Sequence, residues 1–191
     1  MTSVLISPPL VEPVALGDVK NWLKVDVTDD DGLITGLMTS ARMMIEQATR
    51  RRLITQGWRL IRDAWPESNL IALPLAPFAA LTAITVFDVN NNPQSLAVNL
   101  PFVDTTPDAA RLLFATAPLA PGRAIAGINL DVTIGYGATG SSVPQPLLQA
   151  VYMLVAHWYE NRGDVLADSG ATRLPASVAA LIAPFRAVRL T

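Results

Sequence analysis

Apolar residues recur at helical spacing in the first third of the chain. Acidic residues precede this stripe and Arg50, Arg51 and Arg52 follow it, which is the charge order that a helix dipole favours. The pattern predicts a helix from about Asp30 to about Arg51, with Thr28 or Asp29 as N-cap. The stripe consists of Leu33, Ile34, Leu37, Met38, Ala41, Met44, Ile45 and Ala48. A shorter helix is predicted just before it, in "LGDVKNWLKVD".

After residue 55 the spacing of the apolar residues changes from helical to alternating, with every second residue apolar. Short alternating runs, among them "TQGWRLIRDAW", "LTAITVFDV" and "INLDVTIGYG", are separated by proline and asparagine. The segment "NNNPQ" between two such runs is a hairpin signal. No interval has room for a crossover helix, so the pattern predicts a mostly antiparallel β block.

Helical spacing returns after "GYGATGSSV". Leu147, Leu148, Val151, Leu154, Val155 and Trp158 form one apolar face, and Gly163 is predicted to end this helix. A polar link then leads to an apolar tail, whose short helix is broken at Pro184. The apolar positions of the tail are Leu174, Val178, Leu181, Ile182, Phe185, Val188 and Leu190.

Together these patterns predict an α+β fold. N-terminal helices and a C-terminal helix pack together, and the β block is inserted between them. The predicted divisions are an N-terminal arm (1–13), a helical core (14–54 and 143–164), an inserted β domain (55–137), and a linker with a docking tail (165–191). The arm is expected to be extended because Pro8, Pro9 and Pro13 oppose a helix.

Composition narrows the function classes. The net charge is −2 and only 16% of residues are charged. This composition does not predict a basic surface that would bind nucleic acid through its phosphates. With so few charges, part of the surface must be apolar, and this favours oligomerisation. The absence of cysteine excludes disulfides and thiolate metal sites. No apolar run is long enough for a membrane helix, and the N-terminus does not resemble a secretory signal.

The stretch "HWYENRGD" contains the only histidine of the chain. His157 has Glu160 at i+3, but the chain offers no nucleophile motif, cysteine or second histidine to complete a catalytic or zinc site. We therefore interpret His157, Tyr159, Glu160 and Arg162 as a subunit or partner interface. Asp29, Asp30 and Asp31 are consecutive and diverge around a helix, so we read them as a helix start and not as a magnesium site. No catalytic residue, metal site or cofactor is predicted.

Two segments leave alternatives open. Arg50–Arg52 favour a solvated helix C-terminus over a phosphate site or a contact with a neighbouring subunit. The apolar tail either folds back onto the helices or inserts into a partner, and the sequence does not separate these two outcomes.

Several motifs resemble the head–tail connector (adaptor) proteins of tailed bacteriophages and gene transfer agents. One is the "DDD" helix leading to "E..T.R.L" and "Q.W.L..D.WP", and another is the helix ending in "HWYENR". The resemblance spans about residues 14 to 164, and it departs from the family between "FVD" and "INLDV". The first motif matches at Glu46, Thr49, Arg51, Leu53, Gln56, Trp58, Leu60, Asp63, Trp65 and Pro66.

The resemblance implies a non-enzymatic virion protein, made in the bacterial host cytoplasm and placed at the head–tail interface. Its implied partners are the portal protein, a stopper or tail-terminator protein, and further copies of itself in a ring, expected to be a dodecamer. DNA would pass through the ring as cargo, and no membrane is involved. The apolar tail, Leu174 to Leu190, becomes the candidate for docking onto the portal. The alternatives are a tail-completion protein, or a small enzymatic or ligand-binding domain with a pocket in the β block.

Overall fold

The structure is a computed structural model, and it describes residues 1–105, 110–161 and 174–186. The chain divides into two compact units. The first, the β unit, combines Met1–Leu10 with Thr55–Tyr136. The second, the helical unit, combines Val11–Ile54 with the chain from Gly137 onward. Helices plus antiparallel sheets confirm the predicted α+β class.

The β unit contains two antiparallel sheets. One has five strands in the order β1-β2-β8-β4-β5, and the other has three in the order β3-β7-β6. Every neighbouring pair is antiparallel, as the lack of crossover helices predicted. The strands are β1 (Thr2–Ser7), β2 (Gln56–Arg62), β3 (Leu70–Ala72), β4 (Phe78–Phe87), β5 (Pro93–Leu96), β6 (Pro101–Asp104), β7 (Arg111–Phe114) and β8 (Ile128–Ile134).

Both sheets contribute to one hydrophobic core. In β8 every second side chain is buried, so the strand presents one face to the core and Asn129, Asp131 and Thr133 to the other side. Asp131 there forms a bidentate ion pair with Arg59 on β2, with both N–O distances at 2.7 Å. Core side chains from the two sheets include Leu60, Ile71, Leu73, Ile84, Leu112, Phe114, Ile128, Leu130, Val132 and Ile134.

The N-terminal segment differs from the predicted arm. Residues 2–7 form the edge strand β1, which pairs with β2 through Thr2 opposite Ile61 and Leu5 opposite Trp58. The prolines that suggested an extended arm begin only after the last paired residue, at Pro8. An extended backbone suits an arm and a strand equally, so the local sequence could not tell them apart.

The helical unit is built on α1 (Leu16–Leu23), α2 (Asp31–Thr49), α3 (Gln145–Glu160) and α4 (Ala176–Ile182). The long helix predicted over residues 30–51 is confirmed to within two residues. Its N-cap is Asp30, however, and not Thr28 or Asp29. Lys24 and Arg50 end α1 and α2 in the left-handed conformation, each with φ of 59°. Of the helices that the structure describes, none is long and apolar enough to cross a membrane.

The core of the helical unit lies between α2 and α3, with α4 packed against both. Side chains on the predicted apolar stripes are buried there: Ile34, Met38, Ala41, Ile45, Leu147, Val151, Leu154 and Val155. The structure ends α3 at Glu160, and the residue that was predicted to stop it, Gly163, lies outside the described residues.

A buried charge network joins α2 to the segment before α1. Arg42 is only 7% exposed, and its Nε donates to Glu12 Oε2 at 2.8 Å. Its Nη1 donates to Glu46 Oε2 at 3.3 Å. Glu46 is 4% exposed and also accepts from the backbone N–H of Leu53 at 2.9 Å. One guanidinium therefore bridges the buried carboxylate of Glu46 and the half-buried carboxylate of Glu12.

Candidate functional site

The end of α3 carries the polar cluster that the sequence singled out as an interface. His157 is half-buried, and its backbone carbonyl accepts from both the backbone N–H and the side-chain Nδ2 of Asn161, at 3.1 and 2.7 Å. Asn161 therefore closes the helix C-terminus. Glu160 is exposed, and Arg162 lies outside the described residues.

Tyr159 has a partner inside the chain. Its hydroxyl donates to Asp30 Oδ2 at 2.5 Å, which ties the end of α3 to the start of α2. The three consecutive aspartates have separate surroundings: Asp29 is exposed, Asp30 binds Tyr159, and Asp31 pairs with Lys20 at 2.6 Å. Asp30 is the N-cap of α2 and Asp31 lies in its first turn, so the aspartates are at a helix start as predicted, but the N-cap side chain forms no capping hydrogen bond.

The arginine run at the end of α2 differs from the predicted solvated terminus. Only Arg50 is exposed. Arg51 is 8% exposed, and its Nε donates to the backbone carbonyl of Phe185 at 2.7 Å. Arg52 donates to the backbone carbonyl of Glu46, and burial lowers the pKa of its guanidinium. The solvated terminus predicted from the helix dipole was wrong for Arg51 and Arg52. That prediction treats a helix end as isolated, whereas here other segments of the chain cover it.

Arg51 thereby holds the C-terminal segment in place. The short helix α4 is followed by a 3-10 turn, Ala183–Phe185, which supplies the carbonyl that Arg51 binds. Val178 and Ile182 are fully buried, whereas Leu174, Leu181 and Phe185 are half-buried. Of the two open alternatives for the tail, residues 174–186 adopt the first and fold back onto the helices. Val188 and Leu190 lie outside the described residues.

An open groove of about 580 Å³ runs along the helical unit. Its walls include Glu12, Met38, Leu148 and Tyr152. Beside it Trp22, 49% exposed, packs on Tyr152 with ring centroids 5.6 Å apart. Burial, and secondarily the charge of Asp18, raise the pKa of the Tyr152 phenol.

The described residues bring together no group of side chains suited to metal binding. Among them, no three histidine, cysteine, aspartate or glutamate side chains are placed to hold a metal ion. What the surface does offer is exposed apolar and aromatic area, such as Trp22 beside the groove, which is typical of contacts between proteins.

Known proteins share both the sequence pattern and the fold of this chain. The family model for head completion proteins matches residues 14–186. The chain is similar to one in the neck of an empty gene transfer agent particle computed with C6 symmetry, at 28% identity and a TM-score of 0.83. It is also similar to chains in the virion of a native gene transfer agent particle (27%, TM-score 0.82) and in the neck of a native particle computed with C12 symmetry (28%, TM-score 0.80). Each match covers 100% of this chain and 98% of the other. No curated protein matches the sequence.

Proposed function

The chain belongs to the head completion protein family, and from this premise we propose that copies of it form a ring beneath the portal of a phage-like particle. It is a structural adaptor of the head–tail junction in the virion neck. On the far side of the ring we propose a stopper or tail-terminator protein as partner. The role is structural and not enzymatic.

One observation carries the proposal more than any other. The similarity to neck chains extends over this whole chain and almost all of theirs, at TM-scores of 0.80 to 0.83. A shared domain alone would leave one of the two chains partly uncovered. Agreement over the full length supports a shared assembly role as well as a shared fold.

The ring is proposed to have twelve copies, because one similar chain comes from a neck computed with C12 symmetry. A ring of identical subunits needs a head-to-tail contact in which two different surfaces of the chain meet. The cluster at the end of α3 is one proposed contact surface, through His157, Glu160 and Arg162, with Tyr159 fixing its position. The net charge of −2 suits a channel through which DNA slides without being held.

We propose that the tail binds the portal. Val178 and Ile182 anchor it to its own helices, since both are fully buried. We propose that Leu174, Leu181 and Phe185, which are half-buried, contact the portal together with Val188 and Leu190. A short apolar segment presented on a packed helix is a common mode of peptide recognition.

The mass of the purified protein, measured by light scattering alone and with the portal of the same particle, tests the ring. Twelve copies of the 20.4-kDa chain would give about 245 kDa. We expect this mass either in the free protein or as the increment added to the portal. A monomer that joins neither the portal nor itself would overturn the proposal, and binding to tail proteins instead would favour a tail-completion role.

Leu190→Asp tests the tail, with Leu119→Asp as the matched control. Leu119 is 53% exposed in the β unit, so the same substitution there leaves the tail unchanged. We expect Leu190→Asp to weaken portal binding while the melting temperature stays that of the wild type. Equal portal binding by the two variants would show that the end of the tail does not dock.

A further inference from the structure

Strand β1 is an edge of the five-stranded sheet. It pairs with β2 on one side, and within residues 1–105, 110–161 and 174–186 no strand pairs with its other side. About half of its backbone N–H and C=O groups therefore point away from the sheet, as in any edge strand.

This edge is also unusually apolar. Val4, Leu5 and Ile6 are 45%, 43% and 49% exposed, and Leu10 just beyond is 97% exposed. Val4 and Leu5 precede the irregularity in the pairing, and neighbouring side chains of a regular strand point to opposite faces, so these two place apolar surface on both sides of the free edge. Residues 1 to 11 include no charged side chain.

The opposite edge of the same sheet is protected. Strand β5 has four residues, begins with Pro93, which has no N–H to donate, and exposes the polar side chains of Gln94 and Ser95. Short length, proline and polar side chains are the features by which proteins prevent edge strands from pairing with other chains. Strand β1 is longer, with six residues, and contains no proline. Its polar residues Thr2, Ser3 and Ser7 lie towards its ends, and its pairing with β2 is irregular only between Leu5 and Ser7, so Val4, Leu5 and Ile6 leave an apolar stretch on the edge.

We propose that the free edge of β1 is an interface at which a neighbouring copy of this chain pairs or packs. The inference rests on the ring proposed above, in which each subunit must present a surface to the next. A second copy is favoured over another neck protein because permanent interfaces between identical subunits are more apolar than contacts between separately folded partners. An uncharged segment with three exposed aliphatic side chains on one strand fits the permanent kind.

Ile6→Lys is the first test, with Ile125→Lys as its matched control. Ile125 is 78% exposed and lies outside β1, in the segment before β8. A lysine on an edge strand opposes pairing with another chain, and in a ring every subunit would carry it. We expect ring assembly by Ile6→Lys to require a concentration about tenfold higher or more, whereas Ile125→Lys assembles like the wild type. Circular dichroism and melting temperature would show whether both variants are folded.

Position 5 allows a direct identification of the neighbour. The chain has no cysteine, so Leu5→Cys creates a single thiol to which a photoactivated cross-linker can be attached. In assembled rings we expect cross-links between two copies of the chain, and mass spectrometry of the linked peptides would locate the contact. This readout does not depend on how strongly Ile6→Lys perturbs the strand.

The outcomes separate the two proposals. Wild-type protein that forms no ring, alone or on the portal, would overturn both the adaptor ring and the β1 interface. Normal rings from Ile6→Lys, with no cross-link between copies from position 5, would overturn the β1 interface and leave the ring intact. Cross-links from position 5 only to the portal, or only within one chain, would also overturn the inference.

Discussion

Replacing Arg42 by methionine tests whether the buried charge network stabilises the helical unit. Methionine keeps most of the side-chain volume but removes the group that bridges Glu12 and Glu46. The Glu46 side chain is only 6% exposed and that of Glu12 is 21% exposed, so water cannot fully replace the guanidinium. Removing one partner of a buried ion pair costs about 3–5 kcal/mol, chiefly because the other charge remains buried.

For Arg42→Met we expect a loss of stability at the lower end of this range. Glu46 Oε1 would still accept from the backbone N–H of Leu53, and Glu12 Oε1 would still accept from the hydroxyl of Thr39, both at 2.9 Å. A loss of about 3 kcal/mol in a chain of this size lowers the melting temperature by roughly 6–12 °C. Thermal unfolding followed by the helical circular dichroism signal measures it, since the network lies wholly in the helical unit.

Arg111→Met supplies the control, because it removes an arginine from an exposed ion pair. Arg111 pairs with Asp104 between β7 and β6, and its side chain is 53% exposed. Exposed pairs contribute about 0–1 kcal/mol, so this variant should melt within about 4 °C of the wild type. If Arg42→Met lowered the melting temperature no more than Arg111→Met does, the argument that burial makes the Arg42 network stabilising would be refuted.

The parts of the fold that could be predicted are those determined by local periodicity. The stripe of α2 repeats over five turns, and its buried members, among them Ile34, Met38 and Ile45, are those that the spacing selects. The β block followed from alternation and from the lack of room for crossover helices. In both cases each residue's surroundings depend mainly on its near neighbours in the sequence.

Features that depend on distant segments could not be predicted. Strand β1 is a strand because β2, far along the chain, accepts it, and "TSVLIS" alone fits an arm equally well. Arg51 is buried because Phe185 offers a carbonyl at the other end of the sequence. Glu12 gave no local signal that it would bind Arg42. Sequence spacing within one element contains no information on such pairs.

The candidate site also depends on contacts between distant segments, which the sequence could not predict. Tyr159 was predicted as an interface residue beside His157, and the structure adds that its hydroxyl binds Asp30 within the chain and so positions the end of α3. Trp22 and Tyr152, which border the groove, lie on different helices, so spacing within one helix could not predict their contact. An adaptor acts through surfaces assembled from several elements. Its role was therefore indicated by several motifs taken together over about residues 14 to 164, and not by any single one.

Two further substitutions probe the helical unit. A Cβ on Gly140 would lie 1.9 Å from the backbone oxygen of Pro13, so Gly140→Ala should lower the free energy of unfolding by about 1–3 kcal/mol. Gly36→Ala has nothing within 4 Å and replaces a glycine inside α2, so it should raise that free energy by about 0.5–1 kcal/mol. Urea unfolding would measure both free energies. Equal changes for the two variants would contradict the close approach of Gly140 to Pro13 and the open space around Gly36. Tyr159→Phe removes the hydroxyl that donates to Asp30 and should cost about 1.5–3 kcal/mol, because the acceptor is a carboxylate. A smaller loss in the same assay would mean that water replaces the hydroxyl, and that this bond does not fix the end of α3.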